Sequence, residues 1–249
     1  MDESSAMCLI SFSYKFPEGN HFVLAANRDE FYERKTLAAN SWEEDPRVWG
    51  GRDLQNGGAW LGVRVDGRFA FLTNYRDFRL KPLSSPISRG HLVRDFLLSE
   101  ESPKAFIESR IMNSSSYEGF NLIIGNHTSA HYWNNIKKLE HELKPGIYSV
   151  SNGILDEPWP KLQKAKSRFA SLIESSNKNQ FDPNQFFNYL QDKTQAEEDK
   201  LPDTGIPKDK EKALSSIFIE LPGYGTRSST FVSFPQNGKV IREERVWIP

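Results

Sequence analysis

The chain has 249 residues, 32 basic against 33 acidic side chains, 12% aromatics and a single cysteine. That length suffices for a substantial core, and the balanced charge offers no basic stripe for nucleic acid. One cysteine rules out an internal disulfide and any cysteine-based zinc or iron–sulfur centre, and no apolar run approaches the roughly 20 residues of a membrane span.

Residues 1–7 are short and acidic, unlike a secretory signal, and read as a leader or an appended extension. Without a targeting signal the expected location is cytoplasmic. From Cys8, Leu9, Ile10, Phe12 and Tyr14 alternate with polar residues up to a turn at Pro17-Glu18-Gly19-Asn20, which predicts a β-hairpin with residues 21–27. The second strand runs from Phe22, Val23 and Leu24 into Asn27-Arg28-Asp29-Glu30. Period-two alternation places Asn27 and Asp29 on one face, and Arg28 and Glu30 on the other. The plain reading of those charges is a charged strand-to-loop exit, and Arg28 and Glu30 read evenly as a structural ion-pair network beneath a site or as functional residues.

Residues 32–58 read as irregular, with one extended piece at Val48-Trp49 and glycines at 50, 51, 57 and 58. Asp66-Gly67 between two alternating runs, 59–65 and 68–75, is a strong hairpin signal. A helix is predicted over 88–99 with Ser88 as N-cap, and another from Ser102-Pro103. Residues 120–124 and 130–133 form a further hairpin, and 147–150 a strand. Pro158 to Ser175 carries Leu162, Ala165, Phe169, Leu172 and Ile173 at helical spacing, and Asp182-Pro183 opens a shorter helix to Leu190. Residues 193–212, charged and broken by Pro202, Gly205 and Pro207, read as a mobile loop or lid. Strands close the chain at 214–220, 229–234 and 239–247, with Asn237-Gly238 turning the last hairpin. Many hairpins with clustered helices indicate an α+β fold with largely antiparallel sheets, and 8–249 read as a single domain.

The chemistry is scarce. There is no Gly-x-Ser-x-Gly elbow and no P-loop, and the five histidines show no metal-ligand spacing, so no metal site is expected. Asn113-Ser114-Ser115 and Asn126-His127-Thr128 match glycosylation sequons that stay idle without a secretory signal. One candidate remains, an N-terminal nucleophile. With Cys8 exposed as first residue, its thiolate attacks a carbonyl while its own α-amine, of pKa roughly 7.7–8.0, serves as base.

Met7-Cys8-Leu9-Ile10, Leu24-Ala25-Ala26-Asn27-Arg28-Asp29-Glu30-Phe31-Tyr32, Gly57-Gly58-Ala59-Trp60-Leu61-Gly62 and Leu72-Thr73-Asn74-Tyr75 follow in order. They are joined by Tyr117 to Leu122, Ser151 to Lys161 and Pro222-Gly223-Tyr224-Gly225-Thr226-Arg227. From Met7 to the end the chain resembles the NRDE family, also named for transport and Golgi organization protein 2. The resemblance implies a four-layer αββα sandwich like that of N-terminal-nucleophile hydrolases. Similarity to the choloylglycine and penicillin V acylase branch implies Cys8 as nucleophile, Asp29 as the carboxylate near its amine, Asn74 and Asn152 as oxyanion donors, and Arg227 as the late arginine. Asn27, Arg28, Glu30, Trp60 and Trp159 are supporting or binding candidates. The branch places its early arginine three residues before the aspartate, where this chain has Ala26; Arg28 lies two residues further on.

Two functions follow from the resemblance. One is binding or trafficking of a small amphipathic ligand, haem or acyl-coenzyme A and related lipid, as the family is associated with haem trafficking, lipid homeostasis, Golgi organisation and secretion. No cofactor is required, and haem enters as a transported ligand. The other is amidohydrolysis of a linear amide or acyl bond by Cys8.

Overall fold

The computed structural model describes residues 7–111, 114–176, 180–235 and 239–248. The expected Asn237-Gly238 turn, Asn113 of the first sequon and residues 1–6 lie outside them. The fold is mixed α+β, with two antiparallel sheets.

The first sheet joins β1 (Met7–Tyr14), β2 (Asn20–Phe31), β10 (Gly146–Val150), β11 (Glu220–Leu221), β12 (Tyr224–Pro235) and β13 (Ile241–Val246). Its order is β10-β1-β2-β12-β11, with β13 also on β12. The two 12-residue strands β2 and β12 are buried along almost their whole length and form its centre. Helices α3 (Pro160–Ser175) and α4 (Pro183–Leu190) cover one face. Leu9, Val23, Ala25 and Phe231 from the strands meet Leu162, Phe169, Ile173, Phe186 and Phe187 from the helices in one apolar core. Only alternate strand residues enter it, as a pleated sheet with one helix-covered face requires. Asp182 caps α4 by accepting from the Asn184 N–H at 3.0 Å.

The second sheet runs β3-β4-β5-β6-β7-β8-β9 in chain order: Thr36–Ser41, Val48–Asp53, Leu61–Arg64, Phe69–Asn74, Phe120–Gly125, Ala130–Asn134 and Leu139–Glu142. Helices α1 (Gly90–Leu98) and α2 (Pro103–Ile111) pack on it through Leu92, Val93, Phe96, Phe106 and Ile107. Each sheet therefore carries its own helix layer, which supplies the two β and two α layers of the expected architecture.

The chain forms two compact units from interleaved segments, 1–33 with 76–81 and 145–249, and 34–75 with 82–144. No single cut in the sequence separates them, so no linker is visible there. Three local expectations are corrected. Residues 36–41 form strand β3 rather than irregular chain, and the extended piece expected at Val48-Trp49 runs on to Asp53 as β4. Helix α1 begins two residues late, after Arg89, with no side-chain cap bond; Ser88 contributes only its backbone carbonyl, to the His91 N–H. The supposed lid is tied down: residues 208–213 form helix α5, whose Glu211 is buried. Among the described residues no helix is long and apolar enough to cross a membrane.

Candidate functional site

Cys8 stands second in β1, with Arg28 directly across on β2, while Met7 opposes Asp29. Because side chains of opposed residues share a face, Cys8 goes with Arg28. That face is the one turned away from α3 and α4, since Leu9 belongs to the helix-side core. Arg28 and Glu30 share it, their charged groups 3.6 Å apart. The expected ion pair and the expected alternation are both present.

Arg227 joins this face through a bulge. Along β12, Thr226 pairs with Asp29 and Ser228 with Arg28, so Arg227 is the extra residue between them. A bulge re-aims one side chain without disturbing the strand on either side. The Arg227 guanidinium donates to the Phe31 carbonyl at 3.3 Å, and burial together with neighbouring Arg28 lowers its pKa.

Asn152 follows β10, the neighbour of β1. Its carbonyl accepts from the Arg76 N–H at 2.7 Å. Ser151 links it to the cysteine, with its hydroxyl donating to the Cys8 carbonyl at 2.9 Å and lying 3.1 Å from Asn152 Oδ1. The Cys8 thiol itself is buried, and desolvation, with Asp29 as the next cause, pushes it up to about 12. Arg28 pulls the other way but does not prevail. A thiol in that state is protonated at neutral pH and a poor nucleophile.

Asp29 points to the helix side. Its Oδ1 accepts from the Thr226 hydroxyl at 2.6 Å; its Oδ2 is buried with no hydrogen-bond partner among the described residues. Asn27, on the same side, donates to the Leu190 and Ile217 carbonyls at 2.8 and 2.9 Å and accepts from Ser229. Both polar atoms of its amide are thereby engaged in joining β2 to β12, to the end of α4 and to the Ile217 backbone.

A second set of charges was not singled out by sequence. Lys161, in the first turn of α3, is buried and donates to the Leu214 carbonyl at 3.1 Å. Arg76 and Glu211 form a buried ion pair at 2.7 Å, and Glu211 also accepts from the Thr204 backbone and hydroxyl. The Arg76 guanidinium lies 5.2 Å over the ring of Trp159, which precedes α3. Lys161 sat unremarked at the end of the Ser151-to-Lys161 motif. Its signal was a cation in the first turn of an apolar-faced helix, where the macrodipole disfavours it. Arg76 and Glu211 are 135 residues apart, and nothing local pairs them.

Cys8, Arg28, Asp29, Glu30, Asn152, Trp159 and Arg227 thus fall within one unit. Asn74 and Trp60 fall within the other, Asn74 as the last residue of β6 and Trp60 against Gly51, where an added Cβ would stand 2.2 Å from the indole.

A model of the family described as Transport and Golgi organisation 2 matches residues 7–249. A human protein, Transport and Golgi organization protein 2 homolog, is 31% identical over 96% of this chain and 92% of its own length. Transport and Golgi organization protein 2 of Drosophila melanogaster is 26% identical over 94% and 90%. Among solved structures, the Caenorhabditis elegans N-acylethanolamine-hydrolyzing acid amidase ortholog superposes with a TM-score of 0.52 at 10% identity, covering 95% of this chain and 99% of that one. That likeness shows the fold, which is of the N-terminal-nucleophile hydrolase type.

Proposed function

We propose that this chain, which belongs to the Transport and Golgi organisation 2 family, binds a small amphipathic ligand with an anionic head at the Cys8 face of its first sheet. The observation that carries this reading is the state of Cys8. Its nitrogen lies within β1, next to Met7, its thiol is buried with its pKa raised by desolvation, and Arg28 and Arg227 stand on the same face. A hydrolase needs an ionisable nucleophile there; a binding protein needs the arginines, since guanidinium recognises carboxylate and phosphate in a forked geometry. Haem, through its propionates, and acyl-coenzyme A, through its phosphates, both fit that chemistry and the family's associations with haem, lipid, Golgi organisation and secretion. Asn74 and Trp60 enter this reading only through the family resemblance.

The test is equilibrium binding by the wild type and Arg227→Ala, followed by the Soret band for haem and by retention on gel filtration for acyl-coenzyme A. Wild type binds one of the two, and the variant binds it about tenfold more weakly, the size of one lost charge-assisted contact. Absence of both a spectral change and retention for the wild type overturns the reading.

The amidase fold favours a second reading, cysteine amidohydrolysis. In it the Cys8 sulfur bonds to the acyl carbon as the amide C–N bond breaks, the α-amine passes the thiol proton to the leaving nitrogen, and water then releases the acid. Asp29 orients the amine, and Asn74 and Asn152 hold the oxyanion. A panel of N-acyl amides given to a chain beginning at Cys8, with its Cys8→Ala counterpart as control, decides it: turnover by the Cys8 chain alone supports hydrolysis, and no turnover by either removes it.

A further inference from the structure

The bulge at Arg227 leaves one main-chain group to be placed. Thr226 and Ser228 pair with Asp29 and Arg28 on β2, while Ser228 also pairs with Val246 on β13. Arg227 is the residue passed over by β2, and its carbonyl is taken from the other side of the strand. The two residues that follow β13 supply the donors: the Trp247 N–H at 2.7 Å and the Ile248 N–H at 3.2 Å. A bulged residue is released from the regular ladder, so these two bonds fix where the Arg227 peptide sits.

Trp247 is held through its side chain as well. Its indole N–H donates to the Ser229 hydroxyl at 2.9 Å, and that hydroxyl donates to Asn27 Oδ1 at 2.6 Å. Asn27 in turn donates to the Leu190 and Ile217 carbonyls. The Trp247 ring meets Phe218 edge-on at 5.9 Å between centroids, and the Phe218 N–H is bound to the Asp192 carbonyl at 2.9 Å. A run of hydrogen bonds thus ties the end of β13 to β12, β2 and the end of α4. Trp247 is only partly buried and stands outside the apolar core beneath α3 and α4. Its hydrogen bonds, more than its burial, set its place.

Ser229 pairs with Asn27, so this run lies on the helix side of the sheet, whereas Arg227 stands with Arg28 on the Cys8 side. The indole and the guanidinium are therefore on opposite faces, and Trp247 acts on Arg227 through the main chain. We propose that Trp247 is a positioning residue of the ligand site: with Ile248 it holds the Arg227 bulge, and so aims the guanidinium that receives the anionic head. It rests on the reading of Arg227 as a ligand contact. A guanidinium's advantage over a point charge is its forked geometry, which is lost when the main chain beneath it is free to move. Anion affinity is thus set in part from the far face of the sheet, by a residue that does not reach the ligand.

The experiment measures binding of palmitoyl-coenzyme A and of haem by full-length wild type, Trp247→Ala, Arg227→Ala and the double variant. Trp247→Ala weakens binding of whichever ligand the wild type takes by about tenfold, as Arg227→Ala does. Because it acts through Arg227, it costs nothing further in the Arg227→Ala background, where two independent losses would multiply. Wild-type affinity in Trp247→Ala, or a further loss of similar size in the double variant, overturns the proposal. Trp247→Phe, which loses only the indole N–H, serves if Trp247→Ala does not fold, with a smaller loss and the same non-additivity. A second readout needs no ligand: the rate at which phenylglyoxal modifies Arg227, followed by peptide mass. Arg227 and Arg76 are 5% and 7% exposed, so both react slowly in the wild type. In the Trp247 variant the rate rises severalfold at Arg227 and stays the same at Arg76. No rise at Arg227, or an equal rise at Arg76 from general loosening, overturns the proposal. If the wild type binds neither ligand, the binding reading falls, and the phenylglyoxal rates alone decide whether Trp247 holds Arg227.

Discussion

At the scale of single residues, the first sheet holds two different kinds of buried polarity. Cys8 is inert by solvation: its thiol is pushed up to about 12, which leaves on the order of a thousandfold less thiolate at pH 8 than an ordinary cysteine. Alkylation of native protein by iodoacetamide, followed by intact mass, should therefore be slower than for the urea-unfolded chain by two to three orders of magnitude, roughly. Comparable rates would show that the thiol is not buried as described. Asp29 and Lys161 make a pH-dependent contribution with opposite signs. Asp29 is raised in the fold, so the folded chain holds a proton the unfolded one has released, and stability falls as pH rises from about 4 through the folded value. Lys161 is lowered, so the unfolded chain holds the proton instead, and stability recovers as pH rises from its folded value towards about 10. Between those limits the pair weakens the fold. Asp29→Asn combined with Lys161→Met should flatten urea-measured stability across that window. Either single change leaves one buried charge alone and costs about 3 kcal/mol, while the double costs less than the sum.

At the scale of elements, the stretch expected to be mobile is anchored by a buried charge pair. Glu211 of α5 holds Arg76 and Thr204 at once, in a pair whose side chains are only 5% and 2% exposed. Glu211→Gln leaves the Arg76 guanidinium buried against a neutral amide, and should cost about 3 kcal/mol or more in urea unfolding. Limited proteolysis should then cut first between 193 and 212; an unchanged urea midpoint would show that the pair does not hold the segment. The sequence carried no trace of this, because a charged run with two prolines looks the same whether or not a distant arginine closes on it. Strands with an inside and an outside were readable: β1, β2, β5 and β6 alternate, and Asp66-Gly67 marks their turn. Strands β3 and β9 were not, because their side chains are mostly exposed and leave no hydrophobic period. Close approach shows at Gly58, where an added Cβ would stand 2.7 Å from the Gly90 backbone at the start of α1. Gly58→Ala should cost about 1–3 kcal/mol, measurable as a lower urea midpoint.

At the scale of the whole chain, the family and the fold were legible from ordered motifs, whereas the state of the site was not, since it depends on burial. The same motifs lie on a fold shared with an amidase, yet here Met7 continues β1 beyond Cys8 and pairs with Asp29. This makes one experiment decisive for the second reading. A chain beginning at Cys8 replaces a peptide nitrogen by an α-amine of pKa roughly 7.7–8.0, next to the Asp29 main chain and in reach of a base's role. If hydrolysis is latent in this fold, the trimmed chain cleaves N-acyl amides, its Cys8→Ala counterpart does not, and the full-length chain is slower by about a hundredfold or more, the usual worth of a positioned base. If the trimmed chain folds, retains ligand and still turns nothing over, the missing amine was not what silenced the site. The early arginine replaced by Ala26 and the burial of Cys8 are then the differences that remain to account for the silence.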